Sequence, residues 1–179
     1  MIGDSLSAAY GIPRQQGWVT LLQQRLTRAG YPHIVVNASI SGDTTVGGLT
    51  RLPAALQQHR PAVVVIELGG NDGLRGFSLV KTRENLERMV ELARTAGAKV
   101  LLLGVRLPGN YGSWYGERFQ RVYAEVSAHT GVPLVPFFLA GVAETRDAMQ
   151  ADGIHPRAAA QPRILDNVWP ALRPLLAEP

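Results

Sequence analysis

Ala62-Val63-Val64-Val65-Ile66-Glu67-Leu68 is a short, almost wholly apolar run, and Gly69-Gly70-Asn71-Asp72 follows it at once. Such a run, rich in β-branched residues and bounded by glycine, has the character of a strand buried on both faces. Lys99–Gly104 repeats the pattern, and Ile34–Ala38 and Pro133–Phe137 are shorter strand candidates. Between them lie apolar stripes at helical spacing: Trp18, Leu21, Leu22 and Leu26; Leu49, Leu52 and Leu56; Leu86, Met89, Val90 and Ala93; Phe119, Val122, Tyr123 and Val126. A last stripe runs from Ile164 through Val168 to Leu176, with Pro170 expected to kink it. Strands alternating with helices predict an α/β fold, a parallel sheet covered on both faces. No linker, repeat or low-complexity tract interrupts residues 1–179, so a single domain is expected.

Composition narrows the function classes. The 179 residues are 46% hydrophobic and 18% charged, with no run of about 18 apolar residues, so no stable membrane insertion is expected. The formal net charge of +4 comes from scattered arginines, without the basic stripe or sheet aromatics that nucleic-acid binding would want. Zero cysteines exclude disulfides, a cysteine nucleophile and thiolate metal sites.

In an open parallel sheet, ligands bind beyond the carboxyl ends of the strands. That rule sorts the four histidines. His33, His59 and His129 precede strand candidates and lie at the wrong edge; His155 alone follows the last strand. The same edge collects Ser5 after Ile2, then Ser41-Gly42-Asp43, Gly69 to Asp72, Arg106 to Asn110, and the turn Asp152-Gly153-Ile154-His155-Pro156. A serine hydroxyl needs a base, and the base works best when a carboxylate orients it. Asp152 and His155 are three residues apart, so one turn can join them. A metal site would need a further ligand that no nearby histidine or cysteine offers, so neither metal nor cofactor is expected. Gly42 can bring a backbone N–H close to substrate, and Asn71 offers an amide donor, as an oxyanion requires.

Gly3-Asp4-Ser5-Leu6-Ser7, Asn37 to Thr44, Gly69 to Asp72 and Asp152 to Pro156 resemble the four blocks of the SGNH (GDSL) hydrolases, in order. More closely, the chain resembles the bacterial multifunctional thioesterase/protease/lysophospholipase enzymes of that family, from Ile2 to about Leu176. The resemblance implies Ser5 as nucleophile, His155 as general base and Asp152 as its orienter. It implies an oxyanion hole from the N–H groups of Ser5 and Gly42 and the side chain of Asn71. It also implies a flavodoxin-like three-layer α/β/α sandwich, with five parallel strands in the order 2-1-3-4-5 and a mobile loop near Gly73 to Ser78. The Gly-x-Ser-x-Gly elbow of α/β-hydrolases is absent.

Family members begin with a full apolar strand, whereas Met1 and Ile2 alone precede Gly-Asp-Ser here. The expectations are therefore a truncated first strand and a start placed too far downstream. A periplasmic location follows from the resemblance, with the cytoplasm as the alternative because this chain carries no export signal.

Leu74, Phe77, Leu107, Tyr111 and Ile154 are candidate substrate-binding residues, an apolar lining suited to a fatty acyl chain at roughly 0.8 kcal/mol per buried methylene. The function expected is hydrolysis of acyl esters and thioesters by a monomer acting on small molecules. A carbohydrate acetylesterase or a non-catalytic binding module are the alternatives.

Overall fold

The computed structural model describes residues 1–177. Four parallel strands, β1 (Ile2–Gly3), β2 (Val63–Glu67), β3 (Lys99–Leu103) and β4 (Leu134–Val135), lie in the order β1-β2-β3-β4. The register runs Ile2↔Ile66, Val64↔Val100 and Leu102↔Leu134. Leu101, Leu102, Leu103 and Ile66 are fully buried, as expected for strands covered on both sides.

Helices supply both covers. α1 (Trp18–Arg28) packs on α6 (Gln161–Leu172), which lies against β3 and β4. α2 (Thr45–His59) packs on α4 (Leu79–Thr95), and α4 on α5 (Ser113–Thr130), with α4 and α5 against β3. Each helix buries the stripe that its spacing predicts: Trp18, Leu22 and Leu26 in α1, Leu86, Met89 and Val90 in α4, Phe119, Val122 and Val126 in α5. Their ends follow local chemistry. Thr44 caps α2 by accepting from the Gly47 N–H, Ser78 caps α4 by accepting from Lys81, and α6 continues through Pro170 to Leu172.

One strand differs from expectation: the sheet has four strands, not five. Ile34–Ala38 is extended and lies beside β1, where the second strand of a 2-1-3-4-5 order belongs, but it forms no regular ladder. The Ala38 N–H donates to Met1 O at 2.9 Å, Ile40 N–H to Gly3 O at 3.0 Å, and the Met1 ammonium to Val36 O at 2.9 Å. A ladder needs a partner of matching length, and β1 offers two residues. Beyond Met1 a cavity of about 150 Å³ opens between this segment and β2, walled by Val35, Val64, Trp18, Leu22 and Leu52. Ile34, at the far end of the segment, is 86% exposed.

Candidate active site

Ser5 stands in the turn that leaves β1, and His155 in the loop before α6. The Ser5 Oγ lies 2.8 Å from His155 Nε2, and His155 Nδ1 lies 2.7 Å from Asp152 Oδ2. The loop builds this contact itself. The other oxygen of Asp152 accepts the N–H groups of Ile154 at 2.9 Å and His155 at 3.0 Å, and Gln150 N–H closes on His155 O at 2.8 Å. Burial works against the Asp152 charge, yet the His155 N–H, its ring and the Ile154 N–H together hold the carboxyl down at about 2. An ionised carboxylate must accept from Nδ1, which leaves the Nε2 lone pair facing the Ser5 hydroxyl. The Tyr10 ring packs against the imidazole, centroids 4.5 Å apart.

Asn71 lies in the first turn of α3 (Gly70–Leu74), a short helix. Its Nδ2 donates to Asp4 Oδ2 at 3.1 Å and to Asp43 O at 2.9 Å. Gly42 adopts φ +80°, a left-handed conformation that glycine enters without penalty. The Arg75 guanidinium donates to Gly42 O at 3.1 Å, tying the loop after α3 to the Gly42 turn.

A buried polar network lies below. Glu67 Oε2 accepts from Ser7 Oγ at 2.7 Å and from the Asp4 N–H at 3.3 Å. Asp4 Oδ1 accepts the Leu6 N–H at 3.0 Å. Arg51 pairs with Asp43 at 2.7 Å and also donates to Gly3 O and Ala38 O. Asp72 accepts the N–H and hydroxyl of Thr45. With the two Asn71 bonds, they join the first three sequence blocks, and the fourth meets the first through the Ser5–His155 contact. Burial, opposed by the Leu6 N–H, His155 and Asn71, pushes the Asp4 carboxyl up to about 6. Burial, reinforced by the charge of Asp4, pushes Glu67 well above the carboxylate range. The fit is tight: a Cβ on Gly3 would stand 2.9 Å from Glu67 Oε2 and from Ser39 Oγ.

A cavity of about 530 Å³ opens over these residues, lined by Ser5, Gly42, Asn71 and His155. Leu74, Leu107 and Ile154 reach it as the sequence predicts, joined by Val105, Leu139 and Met149. Phe77 and Tyr111 do not belong to its lining. Phe77 is 46% exposed beyond α3, and Tyr111 instead donates its hydroxyl to Leu74 O at 3.1 Å, bracing the loop from outside. His129, assigned to the opposite edge, bonds Glu87 on the helical surface.

Sequence reasoning passed over Asp4, Glu67, Arg51, Asp72 and Tyr10. Glu67 alone carried a signal: an acidic residue inside an otherwise apolar strand needs a buried partner. Among the described residues, no group of three or more His, Cys, Asp or Glu is placed to hold a metal ion, and no helix is long and apolar enough to cross a membrane.

Residues 1–162 match the family described as GDSL-like Lipase/Acylhydrolase. The chain belongs to that family. Among GDSL-like relatives, it is 61% identical over 176 residues to Esterase TesA of Pseudomonas aeruginosa, covering 98% of this chain and 88% of that one. It is 46% identical over 176 residues to Thioesterase 1/protease 1/lysophospholipase L1 of Escherichia coli K12, covering 98% and 83%. The crystal structure of the psychrotrophic esterase EstA from Pseudoalteromonas sp., inhibited by monoethylphosphonate, superposes with a TM-score of 0.92 at 41% identity, over 97% of this chain and 94% of that one. These matches carry the GDSL-like sandwich over nearly the whole chain.

Proposed function

We propose that this GDSL-like chain is a serine hydrolase that cleaves fatty acyl esters and thioesters through an acyl-enzyme on Ser5. The observation that carries this is the continuous hydrogen-bonded line from Ser5 Oγ through His155 to Asp152. His155 Nε2 takes the hydroxyl proton as Ser5 Oγ attacks the acyl carbonyl, and the Asp152 carboxylate stabilises the imidazolium. The N–H groups of Ser5 and Gly42 and the amide of Asn71 receive the oxyanion. The imidazolium then protonates the departing alkoxide or thiolate. Water, deprotonated by the same imidazole, releases the fatty acid.

The cavity's Leu74, Leu107, Ile154, Val105, Leu139 and Met149 support an acyl chain longer than acetyl, which weighs against a carbohydrate acetylesterase. Relatives named esterase, arylesterase and thioesterase/lysophospholipase support the same substrate class. The enzyme is proposed to act as a monomer in the periplasm, a location supported by resemblance and checked by cell fractionation.

A fluorophosphonate should label Ser5 in the intact protein and leave Ser5→Ala unlabelled and at least about a thousandfold slower. Labelling elsewhere, or turnover retained by Ser5→Ala, overturns the assignment. Acyl p-nitrophenyl esters and acyl-CoAs of graded length then test the chain: kcat/KM should rise beyond acetyl, and a maximum at acetyl favours the carbohydrate esterase.

A further inference from the structure

The mechanism above leaves two buried acids unused, and both touch its working parts. Asp4 is the residue before the nucleophile and is 2% exposed; Glu67, at the end of β2, is fully buried. The two acids are neighbours: the Asp4 N–H donates to Glu67 Oε2 at 3.3 Å, and Glu67 lies in the field of the Asp4 charge. Asp4 then makes a second connection, accepting from Asn71 Nδ2 at 3.1 Å. Glu67 makes one other, to Ser7 Oγ, and its Oε1 has no partner.

Two carboxylates buried side by side repel each other and lose solvation, so such a pair keeps a proton between them. Cations do not relieve this pair. Arg51 of α2 is engaged with Asp43, Gly3 O and Ala38 O. The other titratable groups that face the pair are Tyr123 of α5 and His155.

We propose that Glu67 is a positioning residue for the oxyanion donor: it keeps a proton that it donates to Asp4, and Asp4 in turn holds the Asn71 amide at the cavity. The inference rests on the serine-hydrolase reading and deepens it. A protonated Glu67 fits its surroundings. Its Oε2 accepts from Ser7 and the Asp4 N–H, which leaves Oε1, without another partner, to carry the proposed proton. Asp4, spared the repulsion of a second charge, stays a strong acceptor and fixes the amide plane of Asn71. Ionising Glu67 would push Asp4 away, and the Asn71 donor would follow.

The test is a double-mutant cycle on the full chain, with kcat and KM for one acyl p-nitrophenyl ester. Glu67→Ala should lower kcat by about 10–100-fold with KM within about threefold, because the interaction matters in the transition state. Glu67→Gln, which can still donate to Asp4 and accept from Ser7, should recover most of that loss. In an Asn71→Ala background, Glu67→Ala should change kcat by less than about threefold, because its route of action has been removed. Equal losses in both backgrounds, a loss carried by KM, or a Gln variant no better than Ala overturns the proposal.

Should Glu67→Ala not fold, Asp4→Asn takes its place in the cycle, with the same non-additivity expected and additivity again fatal. An infrared carboxylic-acid C=O band at neutral pH, absent in Glu67→Gln, checks the proton directly; a wild type without that band overturns the proposal. Fluorophosphonate labelling of Ser5 runs alongside. An unlabelled wild type faults the hydrolase reading, whereas a labelled wild type with an additive cycle faults only Glu67.

Discussion

Asn71 directs both amide hydrogens within the protein, one to Asp4 and one to Asp43 O, so an arriving oxygen must win one of them. A neutral carbonyl competes poorly with a carboxylate, and an oxyanion competes well. Asn71→Ala is therefore expected to lower kcat by roughly 10²–10³ with KM little changed, read from steady-state kinetics. A higher KM with kcat intact would make Asn71 a ground-state binding residue. Turnover through Ser5, His155 and Asp152 calls on no metal ion, so EDTA should leave kcat/KM unchanged. Loss of turnover in EDTA, restored by a divalent ion, would contradict this. Ser5, His155, Asp152 and Asn71 were legible because motif spacing and the strand-edge rule select them. Glu67 and Asp4 were not, since their role arises only when β1 and β2 pair at Gly3↔Glu67.

At the scale of elements, the sheet is weakest beside β1. The backbone of Val63, Val64 and Val65 pairs with β3 on one side and faces the apolar cavity of about 150 Å³ on the other. Unpaired N–H and C=O groups away from water are costly. Joining about five apolar residues to Met1, in the pattern of an interior strand, should raise both the melting temperature and kcat. The gain has two sources: the new strand pairs both edges, and it removes the buried Met1 ammonium, which burial and Arg51 push down to about 6. Calorimetry and ester hydrolysis on both forms decide the matter; equal values would mean that the cavity does not accept a strand. Ile34–Ala38 shows why a strand can be legible in composition and still fail to form. Its apolar pattern matches that of the other strands, but its neighbour offers two residues to bond. The apolar stripes of α4 and α5 needed no such partner, and those helices formed where the stripes predict.

For the whole molecule, the buried acids give stability a pH dependence whose sign can be worked out. Folding raises the proton affinity of Asp4 and Glu67. Their contribution is full below about pH 4, where unfolded carboxyls titrate, and is lost as pH rises through about 6 for Asp4 and higher for Glu67. Asp152 runs the other way, contributing above about pH 4 and losing its share as pH falls through about 2. The Met1 amine, depressed to about 6, opposes folding in acid and ceases to do so as pH climbs through the ordinary amine value of 8.0. Glu67→Gln should therefore gain in melting temperature relative to wild type as pH rises from 6 to 9, measured by calorimetry at several pH values; a constant offset would show that Glu67 does not titrate with folding. The sandwich itself was readable from alternating strand and helix patterns, because burial of those stripes dominates the energetics. One consequence reaches beyond the finished protein. Ser5 and His155 are 150 residues apart in sequence, and α6, which follows the His155 loop, docks on α1. During synthesis the nucleophile leaves the ribosome 150 residues ahead of its base and waits without it. A nascent chain is thus expected to be inert toward acyl esters until the Ser5 turn and the His155 loop close on each other.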